Sequence, residues 1–420
     1  MSILFHVLLS LTAILVVGRL IGALLSRLGQ PRVMGEMLAG ILLGPTLLGR
    51  IWPQAQQFLL PAEAAPTIGA IAQVGVVIYM FLVGLELTTD DLRGAVRSTL
   101  VISAAGIVVP FVFGIGLALW LFPSLSPAGV SRLSFSLFLG ISLAITAFPV
   151  LARILTDLEL AKSSLGVAAL QCAAASDLIA WCLLAMVLGT TNNDWTGAIR
   201  TIALAGIFAA SMFVLVRPLA DRWLRNRPAS HEAIGVVLIG LLVAAMISEA
   251  IGIHAVFGAF LLGAVLPHDA PIASGLRMRL ADVATVLLLP AFFAYTGMRT
   301  EIGLMNSTTD WLICGVIVLA ATFGKVGSTY FAARLVGKSS RVAACLGVLM
   351  NTRGLMELIV LNIGLELGVI SPRLYAMLVV MALVTTFATT PILKMLLAKV
   401  RMGAAPEGEA MQAEVSGRFA

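Results

Sequence analysis

The chain has 420 residues, 60% of them hydrophobic and 11% charged, with a formal net charge of +6 and a mean hydropathy of +1.04. Soluble domains are about half apolar and about a quarter charged, so a water-soluble enzyme of this length is excluded. The apolar residues recur in long blocks from end to end, which excludes a soluble protein on one anchor and marks an all-α, polytopic membrane protein.

About 20 apolar residues cross the hydrocarbon. That length places about thirteen spans, at 3–26, 35–50, 67–87, 98–121, 135–155, 162–189, 198–218, 232–250, 253–267, 280–298, 310–335, 341–365 and 373–397. The second and ninth are short and Gly-rich, so tilted, buried and re-entrant placements all stay open. The N-terminus lacks the basic region and cleavage site of a signal peptide, and the first run reads as a retained helix. Arg217 to Glu232 is predicted as the longest cytoplasmic loop, joining two halves of the chain. Residues 1–400 are expected to form the membrane domain, and 401–420, polar and rich in Ala, Glu and Gly, a disordered cytoplasmic tail. The other loops leave no room for a catalytic module, and no HExxH, GxSxG or paired catalytic carboxylates occur, so no enzyme is expected.

Of the 27 basic residues, twenty fall on one set of alternate loops and helix ends, five on the other, and Lys325 and Arg353 lie inside spans. Basic loops stay on the cytoplasmic side. This predicts an inner (plasma) membrane protein with the N-terminus outside and the C-terminus in the cytoplasm, and it explains the basic balance without nucleic acid. Cys172, Cys182, Cys314 and Cys345 all lie in apolar stretches with no CxxC and read as core residues. No cofactor is implied.

Ionisable groups inside spans are expensive and usually line a pathway or pair with one another. Asp177 falls midway through the sixth span, flanked by Ala173, Ala174, Ala175 and Ser176, small residues that allow close helix approach. A carboxylate there can hold a proton or a bare cation, which is the requirement for exchange at one site. Lys325 lies mid-span in Gly324-Lys325-Val326-Gly327. Its natural partner is Asp177, either in a permanent ion pair or in one that an arriving cation breaks. Glu86 reads as a pathway residue or a solvated helix end, and Glu36 as an interfacial anchor. His254 reads as a packing histidine or a pH sensor. Arg353 and Glu357, four apart, are placed to pair.

Two spans are interrupted. In the fifth, Ile145-Thr146-Ala147-Phe148-Pro149, Pro149 removes a backbone donor and frees the carbonyl of Ile145, with the Thr146 hydroxyl at the same level. In the twelfth, Asn351-Thr352-Arg353-Gly354 is a polar run inside an apolar helix. Freed carbonyls and half-helix ends hold small ions in membrane proteins, and one interruption in each half points to a transporter.

These residues also carry a resemblance. Gln30-Pro31-Arg32-Val33-Met34-Gly35-Glu36 with Ala39-Gly40-Ile41-Leu42-Leu43-Gly44-Pro45 is similar to the opening of cation/proton antiporters of the second monovalent-cation class. Thr146 to Leu155, Leu349 to Leu358, Phe292-Phe293, Gly297-Met298-Arg299-Thr300 and Gly324-Lys325 resemble the branch of plant cation/proton exchangers and their bacterial relatives. The resemblance implies a thirteen-helix fold of inverted repeats with two broken helices crossing at the site. It also implies a homodimer, in which a core domain moves like an elevator against a dimerisation domain. It further implies that Asp177 binds Na+ or K+ and H+ alternately, with Thr146 an oxygen ligand and Lys325 beside it. Where the family has Asn or Asp before the essential Asp, this chain has Ser176, a neutral oxygen ligand that points to one proton per cation. Pro149, Asn351, Arg353, Glu357, Glu86 and Arg299 are expected as pathway or structural support. A proton-uncoupled cation channel and an exporter of a charged organic compound are the alternatives.

Overall fold

The computed structural model describes residues 2–30, 32–86, 96–161, 163–191 and 195–402. Several side chains within those helices, including those of Glu86, Pro149 and Asp177, lie outside the described set, as do Asp90, Asp91 and the expected tail from residue 403. All regular structure among the described residues is helical. Among the described residues, eight helical stretches are long and apolar enough to cross a membrane, including Ile3–Arg27, Ser98–Leu125, His231–Ile251 and Pro372–Ala398. Shorter apolar helices, including Arg132–Ala144, Ala255–Val265 and Ser340–Met350, make up other expected spans.

The chain folds as two compact units that interleave in sequence. The first comprises Met1–Leu20, Glu36–Leu92 and Leu188–Arg299, the second Ile21–Gly35, Arg93–Val187 and Thr300–Ala420. The loop expected to join two sequence halves, Arg217 to Glu232, therefore lies inside the first unit. It is also largely helical, since Trp195–Ser211 continues through a wide turn into Arg217–Leu224. An ion pair four residues apart, Arg225 to Asp221 at 3.5 Å, and the Arg227 guanidinium 4.3 Å from the Trp223 ring extend that helix beyond the apolar window.

In the first unit, small residues set a close helix crossing. A Cβ at Gly84 or Gly263 would collide with the facing carbonyls of Phe260 and Phe81, respectively, so Ala65–Glu86 and Ala255–Val265 meet backbone to backbone. Arg277 Nη2 donates to the Leu85 carbonyl at 2.6 Å and His268 Nδ1 lies 2.9 Å from it, closing the C-terminal end of Ala65–Glu86. His254 is a capping residue. Its Nδ1 accepts from Val256 N–H at 3.4 Å, while the Glu249 carboxylate accepts from Ala255 N–H at 2.7 Å.

In the second unit, the ring of Phe138 occupies the space beside Gly364, so Arg132–Ala144 and Leu355–Glu366 pack closely. The span expected at 310–335 is Thr308–Thr322, a π-helical turn at Phe323–Gly327 and Ser328–Leu335. Its start is fixed by a capping box between Ser307 and Asp310, and Asp310 also accepts from Arg373.

Candidate functional site

The fifth expected span stops as a helix at Ala144. Residues 145–147 are not helical, with Ile145 and Ala147 extended, and a new helix, Phe148–Asp157, begins with Pro149 in its first turn. Proline is suited to that position because its missing N–H is one of the unpaired donors of a helix start. The interruption expected at Pro149 is thus a three-residue break between two helices. The twelfth span breaks likewise, between Ser340–Met350 and Leu355–Glu366.

The two breaks face each other. Ala147 N–H donates to the Thr352 carbonyl at 2.9 Å, and the Thr146 hydroxyl donates to the Met350 carbonyl at 3.1 Å. Thr146, Asn351, Thr352 and Arg353 are all buried. With its proton committed to Met350, the Thr146 oxygen keeps its lone pairs for another partner.

The C-terminal end of Arg132–Ala144 carries the negative end of a helix dipole and unpaired carbonyls. Buried cations take all three last carbonyls. Arg353 Nη1 donates to Ser142 O at 2.5 Å and Nη2 to Leu143 O at 2.6 Å. Lys325 Nζ donates to Ala144 O. Arg353 and Lys325 thus neutralise this half-helix end, and the Ile145 carbonyl singled out in the sequence is not among the three they bind.

Arg353 also pairs with Glu357, Nη1 to Oε2 at 3.0 Å, with both side chains fully buried. Its backbone is fixed by Thr386, whose Oγ1 accepts from Arg353 N–H at 2.9 Å and donates to Arg353 O at 2.7 Å. Asn351 Oδ1, Thr352 Oγ1, Arg353 Nε and Glu357 Oε1 are buried without a hydrogen-bond partner among the described residues.

Asp177 lies in the helix Ser164–Thr191. Its side chain, and hence the expected pairing with Lys325, falls outside the described residues. The adjoining geometry is visible. Ser176 is buried and donates to Cys172 O at 2.9 Å. Lys325, in the π-helical turn, is close enough to act electrostatically on the Cys172 thiol and on Glu357. Cys172 is about one and a half turns from Asp177 on the same helix.

The structure thus brings Thr146, Lys325, Asn351, Arg353 and Glu357 together, with Ser176 on the Asp177 helix, all within the second unit. Glu86, the last residue of Ala65–Glu86, and Arg299, whose guanidinium sits 4.6 Å from the Tyr295 ring, belong to the first unit. Thr386 is the residue that sequence reasoning missed. Its signal was the run Thr385, Thr386, Thr389 and Thr390 in an otherwise apolar helix.

The family model described as "Sodium/hydrogen exchanger, transmembrane" matches residues 11–399. The chain is 41% identical over 392 residues to the Na(+)/H(+) antiporter NhaS4 of Synechocystis sp., covering 92% of this chain and 96% of that relative. It is 37% identical over 404 residues to cation/H(+) antiporter 19 of Arabidopsis thaliana, covering 95% of this chain and 50% of the plant protein. It is 33% identical over 394 residues to K(+)/H(+) antiporter 1 of Saccharomyces cerevisiae, covering 90% and 45%. The chain thus spans nearly all of the cyanobacterial relative and about half the length of the plant and yeast ones. The fold resembles that of the sodium proton antiporter MjNhaP1 from Methanocaldococcus jannaschii, with a TM-score of 0.72 at 14% identity over 95% of this chain and 99% of that one.

Proposed function

Because the chain belongs to the sodium/hydrogen exchanger transmembrane family, a family of membrane transporters and not of enzymes, we propose that it exchanges Na+ or K+ for protons. The relatives' names, Na+/H+, cation/H+ and K+/H+ antiporter, support that substrate class. In this reading Asp177 is the shared site, Thr146 and Ser176 supply neutral oxygen ligands, and Lys325 is the neighbouring base. The second unit moves as an elevator-like core and the first provides a homodimer contact. The protein sits in the inner (plasma) membrane, N-terminus outside and C-terminus in the cytoplasm.

The observation that carries this reading is the buried charge around the facing breaks. Among the described residues around the breaks, Lys325 and Arg353 contribute two buried positive charges and Glu357 one negative, an excess that an ionised Asp177 balances. Either a proton or a monovalent cation on Asp177 then leaves the same single positive charge, and both together are disfavoured. Two occupants of equal charge at one site give one-for-one exchange, driven by the chemical gradients alone. An extra proton per cycle would add about 2.3 kcal/mol per 100 mV of membrane potential.

The test is flux in proteoliposomes across Li+, Na+, K+ and Rb+ with the membrane potential clamped. Na+ or K+ should dissipate an imposed pH gradient at a rate independent of the clamp. A cation current with no change in pH would instead identify a channel, and indifference to all four ions an exporter of another charged solute.

A further inference from the structure

The Glu357 carboxyl group is only half accounted for by its pairing with Arg353. Oε2 accepts from Arg353 Nη1 at 3.0 Å, while the enclosed Oε1 has no partner among the described residues. An ionised carboxylate offers about four acceptor sites, and a buried charge is tolerated when such sites are met. Arg353 divides its donors among Glu357, Ser142 and Leu143, so it does not compensate Glu357 alone. The protonated form has its own cost, because it leaves Arg353 and Lys325 as two uncompensated positive charges. Glu357 is thereby balanced between two protonation states.

Among the described residues, the charged groups acting on it are Arg353 on its own segment and Lys325 from the 308–335 span. Helices Arg132–Ala144, Phe148–Asp157 and Pro372–Met402 pack against Leu355–Glu366. Arg132 is exposed at the start of the first. The second carries Arg153 and Asp157, with side chains outside the described residues. In the third, Arg373 is bound to Asp310 and Lys394 donates to Gly29 O, while the side chains of Lys399 and Arg401 lie outside the described residues.

We infer that Glu357 is a second proton-binding residue of the core, one that sets cation affinity and is not itself the carrier of the exchanged proton. The inference rests on the exchange at Asp177 proposed above. A hydronium ion gives its proton to Oε1: its O–H bond breaks, an O–H bond forms on Glu357 and a water molecule is left. Ionised Glu357 leaves a neutral core that admits a cation at Asp177. Protonated Glu357 adds one positive charge and weakens cation binding, and by linkage the cation weakens proton binding equally.

The test is the KM for Na+ and K+ in proteoliposomes from mildly acidic to alkaline pH, for the wild type and Glu357→Gln. The amide fixes the charge of the protonated form. The ratio of variant to wild-type KM should rise with pH by about tenfold, the size of a typical coupling between sites. A ratio constant across pH, unity included, overturns the inference. If Glu357→Gln is not recovered folded, Glu357→Asp draws the acid away from Arg353 and should move the pH midpoint of the KM curve, and an unmoved midpoint also overturns it. A wild type that shows no cation-driven proton movement overturns the exchange reading as well, so the two failures are distinguishable.

Discussion

With Asp177 replaced by Asn, addition of Na+ or K+ should leave an imposed pH gradient at its protein-free rate of decay. The amide has nearly the shape of the acid but binds neither a proton nor a bare cation with a full charge. Its effect on the core is that of permanent occupancy, since Lys325, Arg353 and Glu357 keep one net positive charge and nothing can be exchanged. A neutral group at mid-membrane costs less than an ionised one, so the variant should insert and fold. Its thermal midpoint in detergent should match or exceed that of the wild type. Loss of exchange with retained stability separates a transport role from a purely structural ion pair, whose removal would lower the midpoint. Retained exchange in this variant would remove Asp177 from the mechanism.

Replacement of Arg353 by Met should have the largest effect on stability. It leaves the Glu357 carboxylate without its cation and the Ser142 and Leu143 carbonyls without these donors. At alkaline pH, where Glu357 stays ionised, breaking this fully buried pair costs about 3–5 kcal/mol, because the remaining charge has no solvent. Thermal or denaturant unfolding in detergent measures the loss. The double variant Arg353→Met/Glu357→Met should recover most of it, because no lone charge remains, and the two changes should be strongly non-additive. Additive losses would show that the two side chains do not act as a pair.

Much of this core is legible in the sequence. The Asn-Thr-Arg-Gly run and Pro149 mark the two breaks, because a polar run and a missing backbone donor stand out in apolar helices. The burial of Lys325 and Arg353 follows from the same contrast. What Arg353 and Lys325 bind does not, because the carbonyls of Ser142, Leu143 and Ala144 are backbone atoms that any residue carries. The helix Pro271–Asp282 escaped for the opposite reason, since Arg277, Arg279 and Asp282 break the hydropathy pattern although the helix continues through them to Arg299. Arg217–Leu224 has too few apolar residues to register as a span, so its sequence predicts a loop. The interleaving of the two units depends on contacts distant in sequence, on which local composition is silent.

The most direct test of a shared site is proton release on cation binding. Purified protein is titrated with Na+ or K+ by calorimetry in buffers of different ionisation enthalpy, near the pH at which Asp177 is half protonated. Competition for one carboxylate predicts that each bound cation displaces protons, and that Asp177→Asn removes both the binding heat and the release. Cation binding with no proton released at any pH would contradict the account.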